Sequence, residues 1–213
     1  MRITKYPQSC LLLEKEGKRI LIDPGNFVAQ KYKAQDLLPL DGVLITHRHA
    51  DHADPGLLAE LSKSGVTIIA NQDTTELLGE TVTEIIDDGG ELEIGGFKVN
   101  AHQLAHCLMP DGSEGPQNTG YIIDEIFFHS GDGVQTIGIE VEVAAIPIIG
   151  PDISMKDVFA FAHQIGVTKI IPVHYDKLGA KPEEYAAMAQ RFNEPFSFSI
   201  LKDEDSIEVE PSF

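Results

Sequence analysis

Residues 46–52 read Thr-His-Arg-His-Ala-Asp-His, and this segment constrains the chain more than any other. Three imidazoles and one carboxylate fall within six positions, directly after an apolar stretch that reads as a strand. Neutral imidazole and carboxylate suit zinc, manganese or iron where no thiolate is present. In extended backbone, alternate side chains share a side, so His47 and His49 can grip one ion. Asp51 and His52, where the chain turns toward a helix, can reach an adjacent position. One short loop can therefore nucleate a two-metal site. The alternative is a histidine-rich surface loop, a pattern that composition alone yields in about one such chain in a thousand.

The rest of the chain alternates sheet and helix signals. Residues 2–6, 10–14 and 18–22 are short Ile- and Leu-rich runs separated by Pro7 and Gly17, which predicts an antiparallel meander. Residues 43–46 form the next predicted strand. Asp54-Pro55 then opens a helix with Leu57, Leu58 and Leu61 at helical spacing. Strands follow at 66–70, at 94–104 with a break at Gly95-Gly96, and at 119–128 with a break at Asp124-Glu125. Residues 143–149 are almost continuously apolar, as in a strand covered on both faces. Ser154 and Asp157 pattern as a capping box before a helix whose one face carries Met155, Val158, Phe159 and Ala162. A strand at 169–173, a helix at 182–192 and strands at 196–200 and 206–210 complete the chain. The pattern predicts two packed sheets with helices outside, in a single domain spanning 1–213. The irregular stretch 109–118 reads as a functional lid.

Composition narrows the partners. The 213 residues carry 16 basic and 34 acidic side chains, a net charge of -18, which repels phosphate backbones and anionic lipid. Nucleic acid and membrane are not expected partners. No stretch approaches the ~20 apolar residues that span a bilayer, and the first nine residues lack a signal-peptide core. Two cysteines, Cys10 and Cys107, make no disulfide framework. The expectation is a cytoplasmic protein; edge strands and a C-terminal segment rich in Phe and Pro leave a homo-oligomer open.

Further His and Asp residues follow predicted strands: His106 in Gln-Leu-Ala-His-Cys, Asp132 in Phe-His-Ser-Gly-Asp-Gly and His174 in Ile-Ile-Pro-Val-His-Tyr-Asp. The gaps are 54 residues from His52 to His106, 26 to Asp132 and 42 to His174. With Asp23 in Ile-Leu-Ile-Asp-Pro-Gly, these motifs make the chain resemble the metallo-β-lactamase superfamily. The resemblance implies an α/β (α+β) fold, a four-layer αββα sandwich of two mixed sheets with metals at one edge. It implies that His47, His49 and His106 hold one metal and Asp51, His52 and His174 the other, with Asp132 and a hydroxide between them. Asp23 is expected to hydrogen-bond backbone or the second nitrogen of a ligand. The implied cofactors are two divalent ions, zinc first, with manganese or iron as alternatives.

Asp51 and His129 are the candidates for catalytic roles. Asp51 can return a proton to a leaving group, and His129 stands just before Ser130-Gly131-Asp132. His102 alternates with His106 and is a candidate for the pocket wall, while His163 reads as a helix surface or packing residue. Cys107, on the opposite face from His106 if both lie in a strand, reads as a small buried hydrophobe. Arg48, Lys177, Lys181 and the loop 109–118 are candidate substrate grips.

The chain departs from the branches that carry Thr-Pro-Gly-His-Thr at the third motif, since it has Gln103-Leu104-Ala105-His106. It looks closer to the compact branch of ascorbate-6-phosphate lactonase-like proteins, sharing Asn-Thr-Gly-Tyr at 118–121 and His-Ser-Gly-Asp at 129–132. That resemblance implies a dinuclear hydrolase in which a metal-bridging hydroxide attacks an ester, lactone or phosphoester. The site's net positive charge favours a small anionic or carbonyl-bearing substrate. An iron-dependent redox protein on the same ligands and a non-catalytic metal-stabilised binding module are the alternatives.

Overall fold

The computed structural model describes residues 1–135, 138–176 and 179–210. The N-terminal meander forms as the sequence predicts: β1 (Arg2–Lys5), β2 (Leu11–Lys15) and β3 (Lys18–Ile22) pair antiparallel, with Leu13 opposite both Ile3 and Ile20. Two short helices, α1 (Asn26–Ala29) and α2 (Ala34–Leu37), lead to β4 (Gly42–Ile45), which runs parallel to β3. α3 (Pro55–Lys63) starts where Asp54 Oδ1 accepts the Leu57 N–H at 2.8 Å, a cap that satisfies one otherwise free donor. β5 (Thr67–Ala70), α4 (Gln72–Leu78) and β6 (Glu84–Ile85) extend the sheet. α1, α2, α4 and β6 are too short or too polar to show a periodic apolar pattern, so the sequence did not reveal them.

The second sheet begins with the hairpin of β7 (Glu91–Ile94) and β8 (Phe97–Leu104), turning at Gly95-Gly96. β9 (Asn118–Ile123), β10 (Phe127–His129) and β11 (Val143–Pro147) follow. α5 (Met155–Gln164) opens with the Ser154 N–H donating to Asp157 Oδ2 at 3.0 Å, the predicted capping box. β12 (Lys169–Val173), α6 (Pro182–Phe192) and β13 (Ser197–Phe198) come next. β14 (Ser206–Glu208) crosses back to pair with β1. The two sheets read β14-β1-β2-β3-β4-β5-β6 and β13-β12-β11-β10-β9-β8-β7, each part parallel and part antiparallel.

Alternation along the strands sorts the apolar residues into three layers. Ile3, Leu13, Ile20 and Leu44 of the first sheet meet Phe97, Val99, Tyr121 and Phe127 of the second in a central core. Their neighbours Leu12, Leu21, Val43 and Ile45 point outward to Leu57, Leu58 and Leu61 of α3. On the other side Phe128, Ala144 and Ile146 pack on Val158, Phe161 and Ala162 of α5. Burying a side chain such as Phe97 or Phe127 stabilises by about 1.5–3 kcal/mol. A one-residue slip of any strand would exchange its two apolar sets between layers, so register is strongly specified. The result is a four-layer αββα sandwich. Among the described residues no helix is long and apolar enough to cross a membrane.

Candidate metal centre

Strand direction gathers the candidate ligands at one edge. β3 and β4 are parallel, as are β10, β11 and β12, and β8 and β10 share a direction because each is antiparallel to β9. Asp23 follows β3, residues 47–52 follow β4, His106 follows β8, Asp132 follows β10 and His174 follows β12. Hydrogen bonds between the sheets set the edges against each other. The Thr119 N–H donates to the Thr46 carbonyl at 2.9 Å, and the Tyr121 hydroxyl donates to the Ile45 carbonyl at 2.8 Å. Asn71 Nδ2 also donates to Thr46 O, at 3.0 Å.

The structure brings all seven candidate ligands together in two groups. His47, His49, His106 and Asp132 offer ligand atoms within 4.8 Å of one another, and so do Asp51, His52 and His174. Asp132 stands between them. Its Oδ2 is 3.8 Å from His47 Nε2, 3.6 Å from His106 Nε2 and 3.1 Å from His174 Nε2, while its Oδ1 is 3.3 Å from His52 Nε2.

The hydrogen bonds behind the rings decide which nitrogen faces the cluster. His106 Nδ1 lies 2.6 Å from the Cys107 carbonyl and His174 Nδ1 lies 2.9 Å from the Ile149 carbonyl. A carbonyl only accepts, so both Nδ1 atoms carry the proton. His52 Nδ1 likewise donates to Asp23 Oδ2 at 2.7 Å. Thr46 gives its single hydroxyl proton to Asp23 Oδ2 and therefore accepts from His47 Nδ1 at 3.0 Å. Four imidazoles thus turn Nε2 inward, each oriented by a fixed acceptor, the arrangement that tunes metal ligands elsewhere. His49 differs, presenting Nδ1 3.1 Å from His47 Nε2.

Charge within the cluster is mutually arranged. Burial works against the ionised form of Asp132, but neighbouring His52 and His174 overcome it and hold the carboxyl well below the usual range. Asp51 is held low in the same way, its burial outweighed by the hydrogen bond from His174 and the charge of His52. Burial disfavours the imidazolium at His52 too, yet Asp132 and Asp23 push its pKa well above the ordinary value. His47 and His49 go the other way, burial first and neighbouring imidazoles second, and stay neutral. Among the described residues, His52 Nε2 and Asp132 Oδ1 are buried and make no well-directed hydrogen bond, although they lie 3.3 Å apart. Orphaned, inward-facing donor atoms of this chemistry fit a divalent cation.

The other candidates fall elsewhere. His129 is fully buried and has no ring nitrogen free for chemistry: Nε2 donates to the Ser9 carbonyl at 2.8 Å and Nδ1 accepts the Gly131 N–H at 3.2 Å. The structure gives it a bracing task between the β1–β2 turn and the Asp132 loop in place of the catalytic role. His102 lies in β8 on the face opposite Val99 and Ala101. His163 is paired with Glu194 at 2.6 Å and packs on Phe196. Cys107 lies beyond the end of β8, not in a strand; burial pushes its thiol up to about 12 and it packs in the outer core.

Arg48 is ion-paired with Asp73 at 3.2 Å, and Lys181 with Glu184 at 3.5 Å. Lys177 lies outside the described residues. Within the stretch 109–118, Gly115 packs so closely on the His106 ring that a Cβ there would meet Nδ1 at 2.3 Å. A cleft of about 480 Å³ opens beside His106, walled by Gln103, Leu104, Leu108, Glu114 and Gln117. Sequence reasoning gave no role to Asn71, and it met Thr46 and Asn118 only as parts of motifs; the Asn118 amide accepts from Asp132 N at 3.1 Å and donates to Ser130 O at 3.0 Å.

Two mixed sheets face to face, helices on both outer sides and a His/Asp cluster at one open edge define a metallo-β-lactamase fold. The chain belongs to the beta-lactamase superfamily, whose domain model matches residues 2–174. It is 31% identical over 208 residues to a UPF0173 metal-dependent hydrolase of Thermoplasma acidophilum, covering 89% of this chain and 91% of that one. Among solved structures it is similar to Igni18, a metallo hydrolase of Ignicoccus hospitalis, with a TM-score of 0.78 at 21% identity and 97% of each chain covered. The metallo-beta-lactamase fold protein YhfI of Bacillus subtilis superposes with a TM-score of 0.75 at 15% identity, covering 97% of this chain and 99% of that one.

Proposed function

We propose that the protein is a dinuclear metal-dependent hydrolase acting on an ester, lactone or phosphoester of a small molecule. One observation carries this reading: two groups of inward-facing donors meet at a single buried carboxylate, Asp132, 3.1 Å from His174 and 3.6 Å from His106. In this reading His47, His49 and His106 would hold one ion and Asp51, His52 and His174 the other, with Asp132 serving both. Divalent ions there, zinc in the leading case, would supply an activated water nucleophile at neutral pH and polarise the substrate oxygen. The chain's own share is orientation and charge. Thr46, Asp23 and the carbonyls of Cys107 and Ile149 hold the imidazoles in the tautomer that offers Nε2. Asp51, 26% exposed and held ionised, would take a proton from the attacking water before returning it to a leaving group.

The cleft beside His106, at about 480 Å³, has the size of a small-molecule site. The names of the Thermoplasma and Ignicoccus proteins support a metal-dependent hydrolase as well. The test is a turnover screen of lactones, acyl amides and phosphate mono- and diesters with metal-reconstituted protein. Elemental analysis is expected to find about two metals per chain, and His49→Ala or Asp132→Ala to abolish hydrolysis. Iron with oxygen uptake and no hydrolysis, or tight ligand binding with no turnover, would replace this reading.

A further inference from the structure

Six of the seven clustered residues are held by a neighbour already described. Asp132 has its own backbone N–H on the Asn118 amide, and the rings of His47, His52, His106 and His174 lean on Thr46, Asp23 and two carbonyls. His49 leans on His47. Asp51 is the exception, sitting where the loop leaves the sheet edge. Besides the imidazole of His174, its Oδ2 has one hydrogen-bond donor among the described residues, Gln8 Nε2 at 3.1 Å.

Gln8 is built for a fixed position. It is 2% exposed, and its backbone takes the left-handed conformation, φ 64°, which few side chains other than Asn, Asp or His adopt readily. Its N–H donates to Asp176 Oδ2 at 2.6 Å, and its carbonyl accepts from the His174 N–H at 3.4 Å. Asp176 is in turn held at 2.8 Å by Lys5 Nζ, a lysine only 1% exposed. A closed circuit results, from Asp51 through Gln8 to Asp176, two residues along from His174, and back across 3.2 Å from His174 to Asp51. Gln8 Oε1 is buried with no hydrogen-bond partner among the described residues. Folding alone does not explain that orphaned acceptor, whereas an amide whose donor end must face Asp51 does.

We infer that Gln8 is a positioning residue for the second ion-binding group: it stands to Asp51 as Asp23 stands to His52, fixing the carboxylate that ligates. The inference rests on the two-ion reading above. Zinc(II) is titrated calorimetrically into the metal-free full chain, with bound metal counted by elemental analysis. Wild type is expected to take up two equivalents, which tests the two-ion reading without any variant. Gln8→Met keeps the length and removes the donor. It is expected to weaken one equivalent by about 10- to 100-fold, the usual effect of losing a partner behind a ligand, and to leave the other unchanged. Gln8→Gly suits the left-handed backbone, so it keeps the fold while losing the same equivalent. Gln8→His returns an N–H donor and is expected to recover binding. Wild-type binding of both equivalents by Gln8→Met, parallel loss of both equivalents with the unfolding midpoint of the metal-free chain, or no recovery in Gln8→His overturns the assignment. A wild type that binds one equivalent overturns the two-ion reading and this inference together.

Discussion

Asp23 Oδ2 accepts the Nδ1 proton of His52 at 2.7 Å, with both side chains fully buried. The same carboxylate accepts the Thr46 N–H at 2.8 Å and the Thr46 hydroxyl at 2.7 Å, so one side chain orients His52 directly and His47 through Thr46. Asp23 reaches this position from a left-handed backbone, φ 52°, which aspartate adopts more readily than most residues.

Asp23→Ala is therefore expected to act on both stability and metal uptake. It leaves a buried imidazolium and two Thr46 donors without their acceptor, a loss of about 3–5 kcal/mol for breaking a buried charged pair. Urea unfolding of the metal-free chain measures this. Stability within about 1 kcal/mol of wild type would show that the relationship is not needed, since that is the ordinary effect of a single substitution.

Gly25 passes directly under the metal loop. A Cβ there would lie 1.9 Å from the Asp51 carbonyl oxygen and 2.5 Å from the His52 N, both backbone atoms that cannot rotate aside. Gly25→Ala is expected to cost about 3 kcal/mol, the upper end for overpacking, and to lower the bound metal per chain. Unfolding midpoints and elemental analysis check the two effects together.

Asn118, the first residue of β9, holds the loop that carries Asp132. Its Oδ1 accepts from Asp132 N at 3.1 Å and its Nδ2 donates to Ser130 O at 3.0 Å, both buried. Asn118→Ala orphans the Asp132 N–H at about 1–3 kcal/mol and leaves Ser130 O with the Gly133 N–H at 3.2 Å. Gly131 closes on the same amide, a Cβ falling 2.1 Å from Asn118 Oδ1, so a larger residue at 131 is expected to mimic the loss. A turnover rate in Asn118→Ala equal to that of wild type would remove Asn118 from the account of the site.

The metal-free chain is expected to be most stable near pH 6.5. His47, His49 and His129 are held below their ordinary value, burial being the largest cause in each. As pH falls below about 6.5 the unfolded chain takes up protons that the folded chain refuses. Stability then drops by about 1.4 kcal/mol per pH unit for each proton. His52 and His174 are raised despite burial, chiefly by Asp132, so their contribution is full below that pH and lost as pH rises through their folded values. Urea midpoints of the chelator-treated protein between pH 5 and 9 are expected to pass through a maximum; a monotonic rise across that range contradicts the arrangement.

Much of the architecture was legible because period-2 alternation and turn residues are local. The three-stranded meander, the Asp54 cap, the Ser154 capping box and the strand 169–173 all announce themselves within a few residues. α4 did not, because its polar stretch Gln-Asp-Thr-Thr-Glu carries no apolar face; its Asn71 cap and its place beside Thr46 depend on the sheet edge. The residues that cluster were readable as candidate ligands, since His and Asp at strand ends carry their chemistry in their identity.

Residue identity and periodicity, being properties of short segments, sufficed to locate the donor groups and the strands that end in them. Folding chose which atoms face inward and what stands behind them. His129 turned out to brace Ser9 and Gly131, and Gln8 to face Asp51 from 43 residues away. Hydrogen-bond partners so distant along the chain are chosen by the packing of two sheets face to face, and no local pattern encodes that choice.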